Sequence, residues 1–153
     1  MTDTYSTSIR IGAKPDDVFP YLTDAALMVR WMGDWAELAP EPGGCFAVDF
    51  KGFPVRGEYR VIEPPHRVVF TWGAPGSDAV PPGASTVEIT LQADGDGTVL
   101  QLVHRDLPPE EVPGHGRGWD HYLPRLAVVG AGDRELRFAA YFVLGFVSVA
   151  PSS

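Results

Sequence analysis

The sequence predicts an α+β domain: a curved, six-stranded antiparallel sheet wrapped around one long helix near the C-terminal end, enclosing an apolar pocket. Three observations lead there. Apolar and polar residues alternate through five successive segments between Phe46 and Arg105, the period of strands with one buried face. Trp119, Tyr122, Leu123, Leu126 and Val129 then recur at helical spacing as one apolar stripe. Plentiful Gly and Pro (17 and 15) punctuate the chain into short elements, which favours strands over a helical bundle.

The first segment, Tyr5 to Ile11, is rich in β-formers, and Ile9 and Ile11 share a face. Gly12 ends it. Pro15-Asp16-Asp17-Val18-Phe19 then reads as a helix start, with proline in the free first turn and acids complementing the helix dipole. Pro20 should break or kink this helix, because its missing N–H falls after that turn. Asp24 caps a second short helix reaching about Trp31. Two short helices therefore follow the first strand.

From Gly43-Gly44 the period becomes two. Phe46, Val48 and Phe50 face one way, as do Val55, Tyr59 and Val61, and then Val68, Phe70 and Trp72. After a Gly/Pro-rich loop from Gly73 to Gly83, Val87, Ile89 and Leu91 point inward. Asp94-Gly95-Asp96-Gly97 is a hairpin turn, and the returning strand turns Leu100, Leu102 and His104 inward. These five strands form an antiparallel meander, to which the first segment adds a sixth. A linker from Leu107 to Gly118 leads into the long helix, across which the sheet curls. Pro124 should cost that helix a hydrogen bond and bend it over the pocket.

The composition excludes several roles. A chain of 153 residues with a formal charge of −8 and no basic run would repel a phosphate backbone, so nucleic acid is not expected as a partner. The longest uncharged apolar stretch, Phe138 to Ala150, is shorter than the roughly 17–25 residues of a helical membrane span. With Cys45 alone there is no internal disulfide, and the N-terminus has no signal-peptide pattern. A cytoplasmic location is the expectation.

Several stretches together resemble one family. They are Pro15-Asp16-Asp17-Val18-Phe19 with Leu22-Thr23-Asp24 and Arg30-Trp31, Pro42-Gly43-Gly44, and Gly57-Glu58-Tyr59 leading to Pro64-Pro65 and Val69-Phe70-Thr71-Trp72. Asp96-Gly97-Thr98, Leu102-Val103-His104 and Gly118-Trp119-Asp120-His121-Tyr122-Leu123 continue the pattern. In order and spacing the chain resembles the activator of heat-shock protein 90 ATPase homologue-like proteins. These belong to the START-like helix-grip superfamily, with birch-pollen-allergen-type proteins and polyketide cyclases. The resemblance covers about residues 5 to 132. It implies a helix-grip domain over 1–132, a pocket, and members that bind apolar ligands or act in stress responses; it transfers no catalytic residues. Residues 133–153 form a tail outside it, whose core from 138 to 150 is too apolar for water and should pack on its own domain or on a second subunit as a homodimer.

The chemical motifs are weak beside this. His66, His104, His115 and His121 have no zinc spacing. The Asp94–Thr98 run resembles a calcium loop but has Val99 and Arg105 where such a loop needs glycine and glutamate. Neither metal nor cofactor is expected. Cys45 reads as a small hydrophobe, and His104, on the inward face, as either a hydrogen-bonded histidine at the pocket edge or a general base. The aromatics carry the stronger signal. Trp31, Phe46, Phe50, Tyr59, Phe70, Trp72, Trp119 and Tyr122 mostly fall on inward faces. One helix cannot fill a strongly curved sheet, so part of this surface, with Leu123 and Leu126, should line a cavity, and Trp31 and Trp35 should sit near its mouth. A non-catalytic protein holding a small apolar ligand is the leading expectation. A protein-interaction or co-chaperone-like module, and a cyclase- or hydrolase-like enzyme using His104 and Tyr122, are the alternatives.

Overall fold

A computed structural model describes the backbone of residues 1–145 and the side chains of residues 1–132. The chain runs β1 (Asp3–Ile11), α1 (Pro15–Val18), a 3-10 turn (Phe19–Leu22), α2 (Ala25–Met28), β2 (Trp35–Leu38), β3 (Cys45–Phe50) and β4 (Phe53–Glu63). β5 (Arg67–Trp72), β6 (Ser85–Asp94), β7 (Gly97–Leu107), a second 3-10 turn (Pro109–Glu111) and α3 (Val112–Gly145) follow.

The helix-grip architecture is as expected, with a correction in the strand count: the sheet has seven strands, not six, in the order β1-β7-β6-β5-β4-β3-β2. The added one, β2, pairs antiparallel with β3 and puts Ala36 opposite Val48 and Leu38 opposite Phe46. Four residues with two modest apolar side chains make too short an alternation to recognise by period.

Pro20 acts as its chemistry requires. The α-helix stops at Val18 and the chain tightens into a 3-10 turn. Asp24 caps α2 by accepting from the Leu27 N–H at 3.2 Å. The inward sets of β6 and β7 are fully buried, Val87, Ile89, Leu91, Leu100 and Leu102 among them. Curvature enters at β4, whose pairing with β5 shifts register between Tyr59 and Val61. There the backbones come so close that a Cβ on Gly57 would lie 1.9 Å from the Thr71 carbonyl oxygen.

The helix start is a second correction. α3 begins at Val112, so most of the expected linker is its first two turns. Pro113 is tolerated there because first-turn N–H groups have no helical partner. Gly116 is demanded by packing, since a Cβ at that position would meet the Tyr5 ring at 2.7 Å. Beside it Tyr5 donates its hydroxyl hydrogen bond to Asp120, tying β1 to the helix. The helix passes through Pro124 and continues to Gly145. The pairing expected through residues 138–150 concerns side chains outside those described. Among the described residues, no helix is long and apolar enough to cross a membrane.

Candidate functional site

The first turns of α3 do not lie flat on the sheet. Between them and the β3–β4 hairpin is a cavity of about 380 Å³, within the usual range of small-molecule sites. Phe50, Phe53, Val55 and Trp72 line it from the sheet, with Met32 from the loop before β2. Glu111, Gly114, His115, Gly118, Trp119 and Tyr122 line it from the opposite side. Phe53 is 58 % exposed, so the space opens to solvent beside the hairpin. Trp72 and Trp119 meet at 5.1 Å between ring centroids, and Phe50 and Tyr122 at 5.3 Å, both tilted.

Of the residues expected to line a pocket, Phe50, Trp72, Trp119 and Tyr122 come together here. The others are placed elsewhere. Phe46 stacks on Phe70 at 4.0 Å with Tyr59 edge-on to both, and together they form the packed centre of the sheet. The Tyr59 hydroxyl donates to the Leu22 carbonyl at 2.9 Å, and burial pushes its phenol pKa well up. Leu123 and Leu126 belong to the same core. Trp31 is buried away from the mouth, with its indole N–H on the Tyr21 carbonyl at 3.1 Å. Trp35 stands 44 % exposed on β2, with the Arg56 guanidinium 5.5 Å from its ring centroid.

His104 lies behind the wall, fully buried, in a chain whose protons can be assigned. The Trp119 indole N–H, which can only donate, reaches His104 Nδ1 at 3.0 Å. Nδ1 is therefore the acceptor and Nε2 carries the proton, donating to Ser85 Oγ at 2.9 Å. Ser85 in turn donates to the Trp72 carbonyl at 2.7 Å. Burial, helped by the nearby His115, pushes the His104 pKa down to about 3. A neutral, inaccessible imidazole with no free lone pair cannot serve as a general base.

Sequence reasoning missed Glu111 and His115. His115 Nδ1 donates to the Glu111 carbonyl at 2.9 Å, the Glu111 carboxylate lies 3.8 Å from the same nitrogen, and the ring stands edge-on to His104 at 5.1 Å. Their spacing of four was the available signal, but it means proximity only on a helix, and this stretch read as a linker. A second depression, of about 460 Å³, lies on the outer face of the sheet beside Glu63, His66 and Arg67. It is the larger but the more polar, and Arg67 there is paired with Glu88 and Glu63. The guanidinium groups of Arg67 and Arg105, both bonded to Glu88, hold its carboxyl below the ordinary range. Among the described residues, no group of three or more His, Cys, Asp or Glu side chains is placed to hold a metal.

The activator of Hsp90 ATPase homolog 1-like protein model matches residues 12–130. The chain belongs to that family. Its fold is the helix grip of the START-like superfamily, seen also in solved structures. The AHSA1-like protein of Rhizobium etli is 43 % identical, with a TM-score of 0.69 over 86 % of this chain and 84 % of that one. CalU16 of Micromonospora echinospora is 29 % identical, with a TM-score of 0.73 over 86 % and 76 % of the two chains. The Aha1 dimer of Colwellia psychrerythraea shares the fold at 15 % identity, with a TM-score of 0.73 over 82 % of this chain and 93 % of that one. No curated protein shows significant similarity to the chain.

Proposed function

We propose that this AHSA1-family protein is a non-catalytic cytoplasmic binder that takes a small, largely apolar molecule into the cavity between α3 and the β3–β4 hairpin. One observation carries the reading. Two of the helix positions facing the cavity are glycines, and a Cβ on Gly118 would meet nothing within 4 Å. Each helical glycine costs about 1 kcal/mol relative to alanine. Gly116, which faces Tyr5 and not the cavity, has that ring to explain its cost; at Gly118 no packing does, and what the glycine preserves is empty space. The aromatic walls supply the apolar contact such a molecule needs. His104 argues against the cyclase- or hydrolase-like alternative, because both its ring nitrogens are already engaged.

The test uses a neutral fluorescent probe, N-phenyl-1-naphthylamine, on the wild type and on Gly118→Leu. Saturable fluorescence enhancement is expected in the wild type, with affinity at least about tenfold weaker once leucine fills the cavity, or about 1.4 kcal/mol. Equal binding by both proteins, or none by either, sinks the proposal. In that case a change in the ATPase rate of a chaperone on adding this protein would favour the interaction-module alternative.

A further inference from the structure

The walls of the cavity are apolar, but the few polar atoms that reach it are unevenly matched. The Trp119 N–H is taken by His104. Among the described residues, no Lys or Arg lines the space. The N–H groups of Glu111 and Val112 are taken as well, by the Pro108 carbonyl at 2.9 Å and by that of Pro109, and Pro113 has none. What remains is the Glu111 carboxylate, the Tyr122 hydroxyl and His115. The His115 donation from Nδ1 to the Glu111 carbonyl fixes the tautomer of the neutral ring and leaves Nε2 with its lone pair. No described residue bonds to Nε2.

Resting on the proposed binding role, we infer that His115 Nε2 is the polar anchor of the cavity and accepts a hydrogen bond from a hydroxyl on an otherwise aromatic ligand. The ligand class is a neutral aryl alcohol or phenol. An aryl carboxylate of the same shape brings only acceptors, would face Glu111 with no cationic side chain among the described residues to compensate, and would lose its hydration in doing so. An unsubstituted arene fits the walls but leaves Nε2 unmatched.

Titration calorimetry at pH 8 with 2-naphthol, naphthalene and 2-naphthoate tests this on the intact chain. 2-Naphthol is expected to bind about five- to twelvefold tighter than either analogue, the gain that one net hydrogen bond supplies. His115→Phe keeps the ring volume and should bring 2-naphthol to within about twofold of naphthalene; His115→Gln, which retains an acceptor, should recover part of the preference. Naphthoate binding as tightly as naphthol, or a naphthol preference unchanged in His115→Phe, overturns the inference while leaving the cavity reading standing. If none of the three binds the wild type, both fall together. The comparison among ligands on the wild type decides the matter even where a variant fails to fold.

Discussion

The indole N–H of Trp119 on α3 donates to Nδ1 of His104 on β7 at 3.0 Å, so the tautomer of a buried histidine is set by a residue of the cavity wall. The bond joins helix to sheet and holds the Trp119 ring at a fixed angle against Trp72. It also makes the fold depend on His104 staying neutral.

That dependence has a sign. In the unfolded chain an imidazole takes up its proton near pH 6.5, whereas in the folded protein the His104 value lies at about 3. Its contribution is fully present above about 6.5 and is lost as pH falls toward 3, because only the unfolded state binds the proton in between. The slope is about 1.4 kcal/mol per pH unit. His104→Gln should flatten the fall in stability between pH 6 and 4 by about one proton, read from urea midpoints. Parallel pH profiles for the two proteins would show that His104 is not the group responsible.

Ser85→Ala removes the acceptor of the His104 Nε2–H and leaves a buried donor unmatched. A loss of about 1–3 kcal/mol is expected in denaturant unfolding. A change of only a few tenths would mean that water replaces the hydroxyl.

Gly116 and Gly118 sit two residues apart on one helix and should respond oppositely to alanine. Gly118→Ala fills open space and should stabilise by roughly 0.5–1 kcal/mol. Gly116→Ala drives a methyl to 2.7 Å from the Tyr5 ring and disturbs the Tyr5–Asp120 hydrogen bond, so it should melt below the wild type. Thermal midpoints moving in the same direction for both variants would contradict the packing described.

Asp24→Ala deletes the cap of α2, whose carboxylate accepts from Leu27 N–H. A cost of about 1 kcal/mol is expected, and Asp24→Asn or Asp24→Ser should recover most of it. If alanine is neutral in chemical denaturation, α2 is held by the packing of Met28 and the cap contributes nothing measurable.

The period-two runs Val87-Ile89-Leu91 and Leu100-Leu102-His104, the i, i+3, i+4 stripe from Trp119, the break at Pro20 and the cap at Asp24 were legible in the sequence by itself. Each depends on backbone geometry repeating within one element, so local spacing is enough to show which side is buried. What lies opposite that side is a different matter. Phe46 and Phe70 share the inward pattern of Phe50 and Trp72, yet the first two stack on each other in the packed centre of the sheet, while the last two meet Tyr122 and Trp119 of α3 and line the cavity beside those contacts. Trp31 and Trp35 are near neighbours, but one enters the core through its bond to Tyr21 and the other faces solvent on a strand too short to announce itself. Glu111 and His115 became a pair only when close packing on Tyr5 made helix out of a Pro/Gly-rich stretch that propensity alone would leave as a loop. Periodicity recorded which faces are buried; tertiary contact decided which of them meet, and so where the cavity lies and which polar atoms reach it.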